Sequence, residues 1–151
     1  MSAIIDKFKL KSYSALPILN LPDYLKEDLA EIPTSPLLAK QKAVLVFTSS
    51  NQEFFDTLKD LVNKDILQDQ GVILICYPKK GNPKYPSYVH RDEIFVKVGM
   101  DNDGFIYGSP YMFNRMLGFD DNFTLLEVKK LLNFKPGSRP SQSGADFVKY
   151  I

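Results

Sequence analysis

The chain has 151 residues, 19 of them lysine or arginine and 18 aspartate or glutamate, for a formal net charge of +1. That balance excludes a nucleic-acid binder working by bulk positive charge, and it excludes an acidic solvated tail. A hydrophobic content of 44%, with 11 phenylalanines and 8 tyrosines, suffices for one core, and a chain of this size buries about 70% of the surface its unfolded form exposes.

Charges interrupt the amino terminus every few residues, so it lacks the continuous apolar stretch of a signal peptide. The apolar runs elsewhere fall short of the roughly 18 residues a membrane helix needs. The expectation is a soluble, cytoplasmic protein with no membrane partner. Residues 3–10 carry Ile4, Ile5, Phe8 and Leu10 among lysines and read as an amphipathic helix or a strand. Residues 14–20 read as a short strand, placed at a sheet edge by Pro17. Leu21-Pro22-Asp23 then opens a predicted helix to about Glu31, with Tyr24, Leu25, Leu29 and Ile32 on one side. Pro33 and Pro36 stop it.

Residues 43–48 are apolar nearly throughout, the pattern of a strand covered on both faces. Ser50 and Glu53 have the spacing of a capping box. The helix they open carries Phe54, Phe55, Leu58, Leu61, Val62, Ile66 and Leu67 at helical period, and Gly71 stands where it should give way to the next strand. Residues 72–77 form that strand. The strand–helix–strand unit over 43–77 has βαβ length and predicts a parallel pair with a right-handed connection.

A loop follows at 78–86, with three prolines, a glycine and three lysines. Residues 87–98 read as a helix with Ser87 as cap and Gly99 closing it. Residues 104–119 read as two strands joined at Gly108-Ser109-Pro110. Residues 124–131 are periodic but fit strand and helix alike. Residues 135–144 read as a linker and 145–151 as a docked turn or frayed tail, so that one α/β domain spans 1–134 and a tail spans 135–151.

Ligands in open α/β sheets bind beyond the carboxyl ends of the strands. Lys79, Lys80, Lys84, His90 and Arg91 fall within a dozen or so residues of such an end. Lysine supplies a point charge and Arg91 a planar fork, so the set suits a phosphate or carboxylate. The same lysines also fit a plain solvated turn. His90 is the chain's one histidine and is therefore the one imidazole acid or base available; Asp92 and Glu93 beside it also suit an ordinary helix start. Cys76, the one cysteine, reads as a buried inert thiol. With one residue of each kind, zinc sites built from several cysteines or histidines are excluded.

Asp101-Asn102-Asp103-Gly104 resembles the opening of a calcium loop, but later oxygen ligands and a twelfth-position glutamate are missing, and a tight turn accounts for it. Tyr107, Tyr111, Phe113 and Phe119 with Arg115 fit either a packed hairpin or a stacking platform for single-stranded nucleic acid. An exposed part of that hairpin would suit a homodimer interface. No Gly-x-Gly-x-x-Gly, Walker-type or Gly-x-Ser-x-Gly motif occurs, and no cofactor is expected.

The order of short motifs carries a family resemblance. A Leu19-Asn20-Leu21-Pro22-Asp23-Tyr24 turn comes first, then a Leu45-Val46-Phe47 strand and a Ser-x-x-Glu helix. A strand ending in Tyr77-Pro78-Lys79-Lys80, an Arg91-Asp92 helix start and an aromatic hairpin follow. Over residues 8–118 this resembles a domain-of-unknown-function family of small bacterial proteins whose visible signature is the Tyr-Pro-Lys-Lys strand end. The resemblance implies the later half of a class I methyltransferase sheet, parallel strands followed by an antiparallel pair. It does not imply methyl transfer, because the turn at residues 20–23 holds no glycine. The family's Asp-x-x-Trp-Ser stretch appears here as Gly108-Ser109-Pro110-Tyr111, with no tryptophan, and the segment after Phe119 looks like an addition.

The fold expected is therefore α/β, with a mainly parallel sheet flanked by helices and a C-terminal antiparallel hairpin, partially Rossmann- or methyltransferase-like. The function expected first is a non-enzymatic binding or interaction module with an anion site on the lysine loop. The alternatives are a small enzyme that acts on an anionic substrate through Lys79, Lys80, His90 and Arg91, and a single-strand nucleic-acid binder, which the chain's charge disfavours.

Overall fold

The computed structural model describes residues 3–38 and 40–132. The expected linker and tail lie outside these residues. Five strands form one sheet in the order β1-β2-β3-β5-β4. They are β1 (Ile18–Leu19), β2 (Gln41–Phe47), β3 (Leu67–Pro78), β4 (Tyr111–Gly118) and β5 (Phe123–Lys130). The β1–β2 and β2–β3 pairs are parallel, and β5 is antiparallel to both β3 and β4. Strands β1 to β4 thus run in one direction, and only β5, inserted between β3 and β4, is reversed. This is the mainly parallel α/β sheet with an antiparallel C-terminal hairpin, a partial methyltransferase-like arrangement.

Successive residues of the two apolar strands point to opposite faces, and both faces are covered. Val44, Val46, Ile73, Ile75 and Tyr77 pack with Phe54, Leu58, Leu61 and Val62 of α2 (Asn51–Asn63) and with Ile94 and Phe95 of α3 (Arg91–Lys97). Ala43, Leu45, Phe47, Leu74 and Cys76 face Ile5, Phe8, Leu10, Leu25 and Leu29. That second layer comprises α1 (Ala3–Lys7) and two 3-10 turns, Leu10–Ser12 and Asp23–Leu25. Each large side chain fully buried this way contributes roughly 1.5–3 kcal/mol. No helix among the described residues is long and apolar enough to cross a membrane.

Local chemistry sets several boundaries. The Ser50 hydroxyl accepts the Glu53 amide at 3.1 Å, and the Glu53 carboxylate accepts the Ser49 amide at 3.0 Å, so the capping box opens α2. The helix ends at Asn63, and Asp65 turns the chain at φ 51°. Ile66 and Leu67, expected on the helix, lie beyond it, with Leu67 opening β3. Gly71 therefore sits inside a strand rather than at a helix end. The β2–β3 register slips there, from Gln41 opposite Leu67 to Ala43 opposite Val72. A side chain at Gly71 would meet the Gln41 carbonyl at 2.8 Å and the Gln68 carbonyl at 2.9 Å.

The helix expected over 21–31 is a 3-10 turn followed by further turns. Its backbone bonds are mostly three-residue ones, such as Lys26 to Asp23 and Ile32 to Leu29. Bounded by Pro22 and Pro33, the segment winds mostly in three-residue turns, yet Leu25, Leu29 and Ile32 still reach the core. The hairpin also lies later than expected. Gly108-Ser109-Pro110 precedes β4 rather than joining two strands, and residues 104–108 contribute one isolated bridge, Phe105 to Met112. The ambiguous segment 124–131 is β5.

Candidate functional site

Beyond β3 the chain makes a closed loop rather than a loose turn. The Val89 amide donates to the Pro78 carbonyl at 2.9 Å and so clasps the base of the loop. Asn82 organises its interior, accepting the amides of Lys84 at 3.1 Å and Tyr85 at 2.6 Å and donating to the Lys79 carbonyl at 2.8 Å. The Tyr85 ring packs on Phe123 with centroids 5.3 Å apart. Ser87 does not cap α3. Its hydroxyl accepts the Asn51 amide of α2 at 3.2 Å, and α3 begins four residues later, with His90 at the cap position.

This loop, the start of α3 and the ends of β3 and β4 enclose a cleft of about 530 Å³. Lys79, Lys80, His90, Arg91 and Asp92 contribute its charged and titratable groups; Tyr77, Val89, Met116 and Leu117 its apolar ones. The cleft therefore stands at the carboxyl edge of strands that share one direction. Of the residues expected here, Lys79, Lys80, His90 and Arg91 come together. Lys84 does not: its ammonium lies 5.2 Å from the Tyr24 ring centroid. Asn82 turns the chain here, and Lys84, whose amide it accepts, is carried toward Tyr24 instead.

The Lys80 side chain is exposed and Lys79 half-buried. Neither ammonium has an ion-pair partner among the described residues. Arg91 Nε is 4.0 Å from Asp92 Oδ1. The His90 ring is 43% exposed, yet its Nδ1 is buried and makes no hydrogen bond. The nearest carboxylate oxygen to it, on Asp92, is 3.8 Å away, beyond hydrogen-bond reach. Burial pushes the Tyr77 phenol up to about 12, which keeps it a neutral donor. Its hydroxyl lies 3.4 Å from the Met116 sulfur.

Met116, Leu117, Gly118 and Thr124 also line the cleft, as do Tyr77 and Asp92, which the sequence marks only as a strand end and a helix start. Tyr77 had a signal, as the last aromatic of a strand end. Met116 and Thr124 had none until β4 and β5 were placed.

The remaining candidates resolve structurally. Tyr111, Phe113 and Phe119 are buried, and the Arg115 guanidinium pairs with both carboxylate oxygens of Glu127 at 3.2 Å. Tyr107, the fourth ring of the set, is half-buried, so three of the four aromatics pack inward rather than standing open beside Arg115. Asp101 Oδ1 accepts the amides of Asp103 and Phe105, both at 2.9 Å, as a tight turn requires. Cys76 is fully buried, and burial raises its thiol well above the ordinary value.

The resemblance read from the sequence, to part of a class I methyltransferase sheet, implies S-adenosylmethionine as a cofactor, and the residues do not fit it. Such a site needs a glycine-rich turn after the first strand and an acidic residue for the ribose, as in other nucleotide-binding sheets. Here β1 is two residues long. The left-handed position after it, φ 59°, is Asn20, followed by Leu21 and by Pro22, which has no amide hydrogen. Among the described residues no strand lies outside β1 to carry the acid.

No family model matches the chain, and no curated protein matches it. Among solved structures, it is similar to the pyocyanin biosynthetic protein PhzM at 9% identity and a TM-score of 0.48. That match covers 83% of this chain and 46% of PhzM, so the chain spans about half of that protein's length. It is also similar to a protein from Sulfolobus solfataricus described as a type 11 methyltransferase, at 14% identity and a TM-score of 0.45, over 91% of this chain and 82% of the other. These are likenesses of architecture.

The expectation of a non-enzymatic binding module is corrected at this point. The neighbours found are described as a biosynthetic protein and a methyltransferase rather than as binding modules.

Proposed function

We propose that the cleft is the active site of a small enzyme acting on an anionic substrate. One observation carries the reading: a single cleft at the carboxyl edge of the sheet is lined by Lys79, Lys80 and Arg91 together with His90, whose buried Nδ1 has no hydrogen-bond partner. Lys79 and Lys80 hold the anion by charge, and Arg91 orients it through its planar fork. His90 moves the proton. The ring is 43% exposed, so it takes a proton from a bound substrate, or returns one to it, through the nitrogen other than the buried Nδ1. Asp92, 3.8 Å away, stabilises the imidazolium that results.

The test is a thermal-shift and activity panel on the purified chain, with phosphate, sugar phosphates, carboxylates and nucleotides. A ligand at 100 times its dissociation constant adds roughly 2.7 kcal/mol, a rise of about 5 to 10 °C for a domain of this size. The expected result is a shift abolished in the Lys79→Ala/Lys80→Ala double variant, with turnover lost in His90→Gln. Shifts that persist in the double variant would remove the site assignment; turnover that persists in His90→Gln would remove the proposed role of His90.

A further inference from the structure

We propose, resting on the reading above, that the substrate is an anion with an apolar body rather than a sugar phosphate or a nucleotide. The cationic groups of the cleft come from the loop after β3 and the start of α3, whereas the end of β4 contributes Met116 and Leu117, both half-buried. Val89 and Tyr77, each 2% exposed, complete the apolar lining. The cleft, at about 530 Å³, is far larger than an inorganic anion and has the size of an ordinary small-molecule site.

A polyhydroxylated body would have to satisfy each hydroxyl it buries, at roughly 1–3 kcal/mol for every one left unpaired. The β4 side offers little for this. The Gly118 carbonyl already accepts from Lys7 Nζ at 2.5 Å. The Thr124 hydroxyl and the Tyr77 hydroxyl are already engaged with each other, and the Tyr77 hydroxyl also lies 3.4 Å from the Met116 sulfur, a weak acceptor. An apolar body needs no such partners, and Met116, unbranched and flexible, can repack around it. A ligand oxygen, a stronger acceptor than sulfur, would draw the Tyr77 hydroxyl away from Met116.

The experiment is calorimetry on the full chain with butyrate, hexanoate and octanoate, set against inorganic phosphate and glucose 6-phosphate. Burial of the body predicts affinity rising about fourfold per methylene, with glucose 6-phosphate binding no better than inorganic phosphate. The Lys79→Ala/Lys80→Ala double variant should weaken all the carboxylates by one common factor, and Met116→Asn should flatten the series. A flat series in the unaltered protein, or glucose 6-phosphate binding more tightly than octanoate, overturns the apolar body and leaves the anion site standing. No binding by any of the five probes overturns both. The slope in the unaltered protein decides the matter even if Met116→Asn does not fold.

Discussion

Lys130 Nζ lies 2.7 Å from Asp65 Oδ1 and ties the last residue of β5 to the turn that ends α2. The lysine side chain is 4% exposed, so the carboxylate is what makes its burial tolerable. The Tyr111 hydroxyl donates to the same oxygen at 2.8 Å and accepts the Leu67 amide at 3.0 Å. Lys40 holds the other oxygen at 2.6 Å. Asp65→Ala leaves Lys130 buried without its counter-charge and should cost about 3 kcal/mol, lowering Tm by roughly 6 to 12 °C. Calorimetric melting checks this, and ligand binding at the distant cleft should be unchanged.

The same residue sets an acid dependence. Partial burial pushes the Asp65 carboxyl up, but hydrogen bonds from Lys130, Lys40 and Tyr111 outweigh it and hold the group well below the ordinary carboxylate range. A depressed folded value means that the unfolded chain binds the proton first. The stabilisation is therefore full above the unfolded value, about 4, and is lost as pH falls from there through the folded value. Tm measured between about pH 2 and 6 should fall more steeply in the unaltered protein than in Asp65→Asn. Parallel curves would show that Asp65 contributes nothing to the acid limb.

Asn82 does not line the cleft, yet it positions the loop that bears Lys79 and Lys80. Asn82→Ala removes the acceptor of two amides and the donor to the Lys79 carbonyl. It should cost about 1–2 kcal/mol and weaken anion binding severalfold. The amides of Lys84 and Tyr85 should lose hydrogen-exchange protection while those of β2 and β3 keep theirs.

Gly71→Ala should destabilise the sheet by about 1–3 kcal/mol, because its Cβ meets backbone oxygens that cannot move aside as a flexible side chain would. Chemical denaturation measures the effect. A variant as stable as the parent would mean that the register slip between β2 and β3 is pliable.

Features fixed by near neighbours in sequence were legible. The Ser50–Glu53 cap needs only its own turn, and 43–48 and 72–77 declare two-sided burial by composition. Gly99, at φ 60°, closes α3 where it was expected. What depended on distant pairing was not legible. Gly108-Ser109-Pro110 reads locally as a hairpin turn, but the pairing depends on β5, whose alternation acquires meaning only between β3 and β4. The cleft divides the same way. The strand-end rule led to Lys79, Lys80, His90 and Arg91. Met116 and Leu117 enter from a strand whose neighbour comes later in the chain, and Lys84 leaves because Asn82 turns the loop.

The insertion of β5 between β3 and β4 governs the order in which the molecule can be completed during synthesis. When β4 leaves the ribosome its partner strand is still enclosed, and the edge of β3 stands bare. Both are satisfied only once residue 130, the end of β5, is available. A chain halted or cut before residue 123 would present the open edge of β3, with Ile73, Ile75 and Tyr77 on one face, as a template for other chains. The nascent protein therefore passes through a window in which the edge of β3 is open to strand pairing, and β5 closes it.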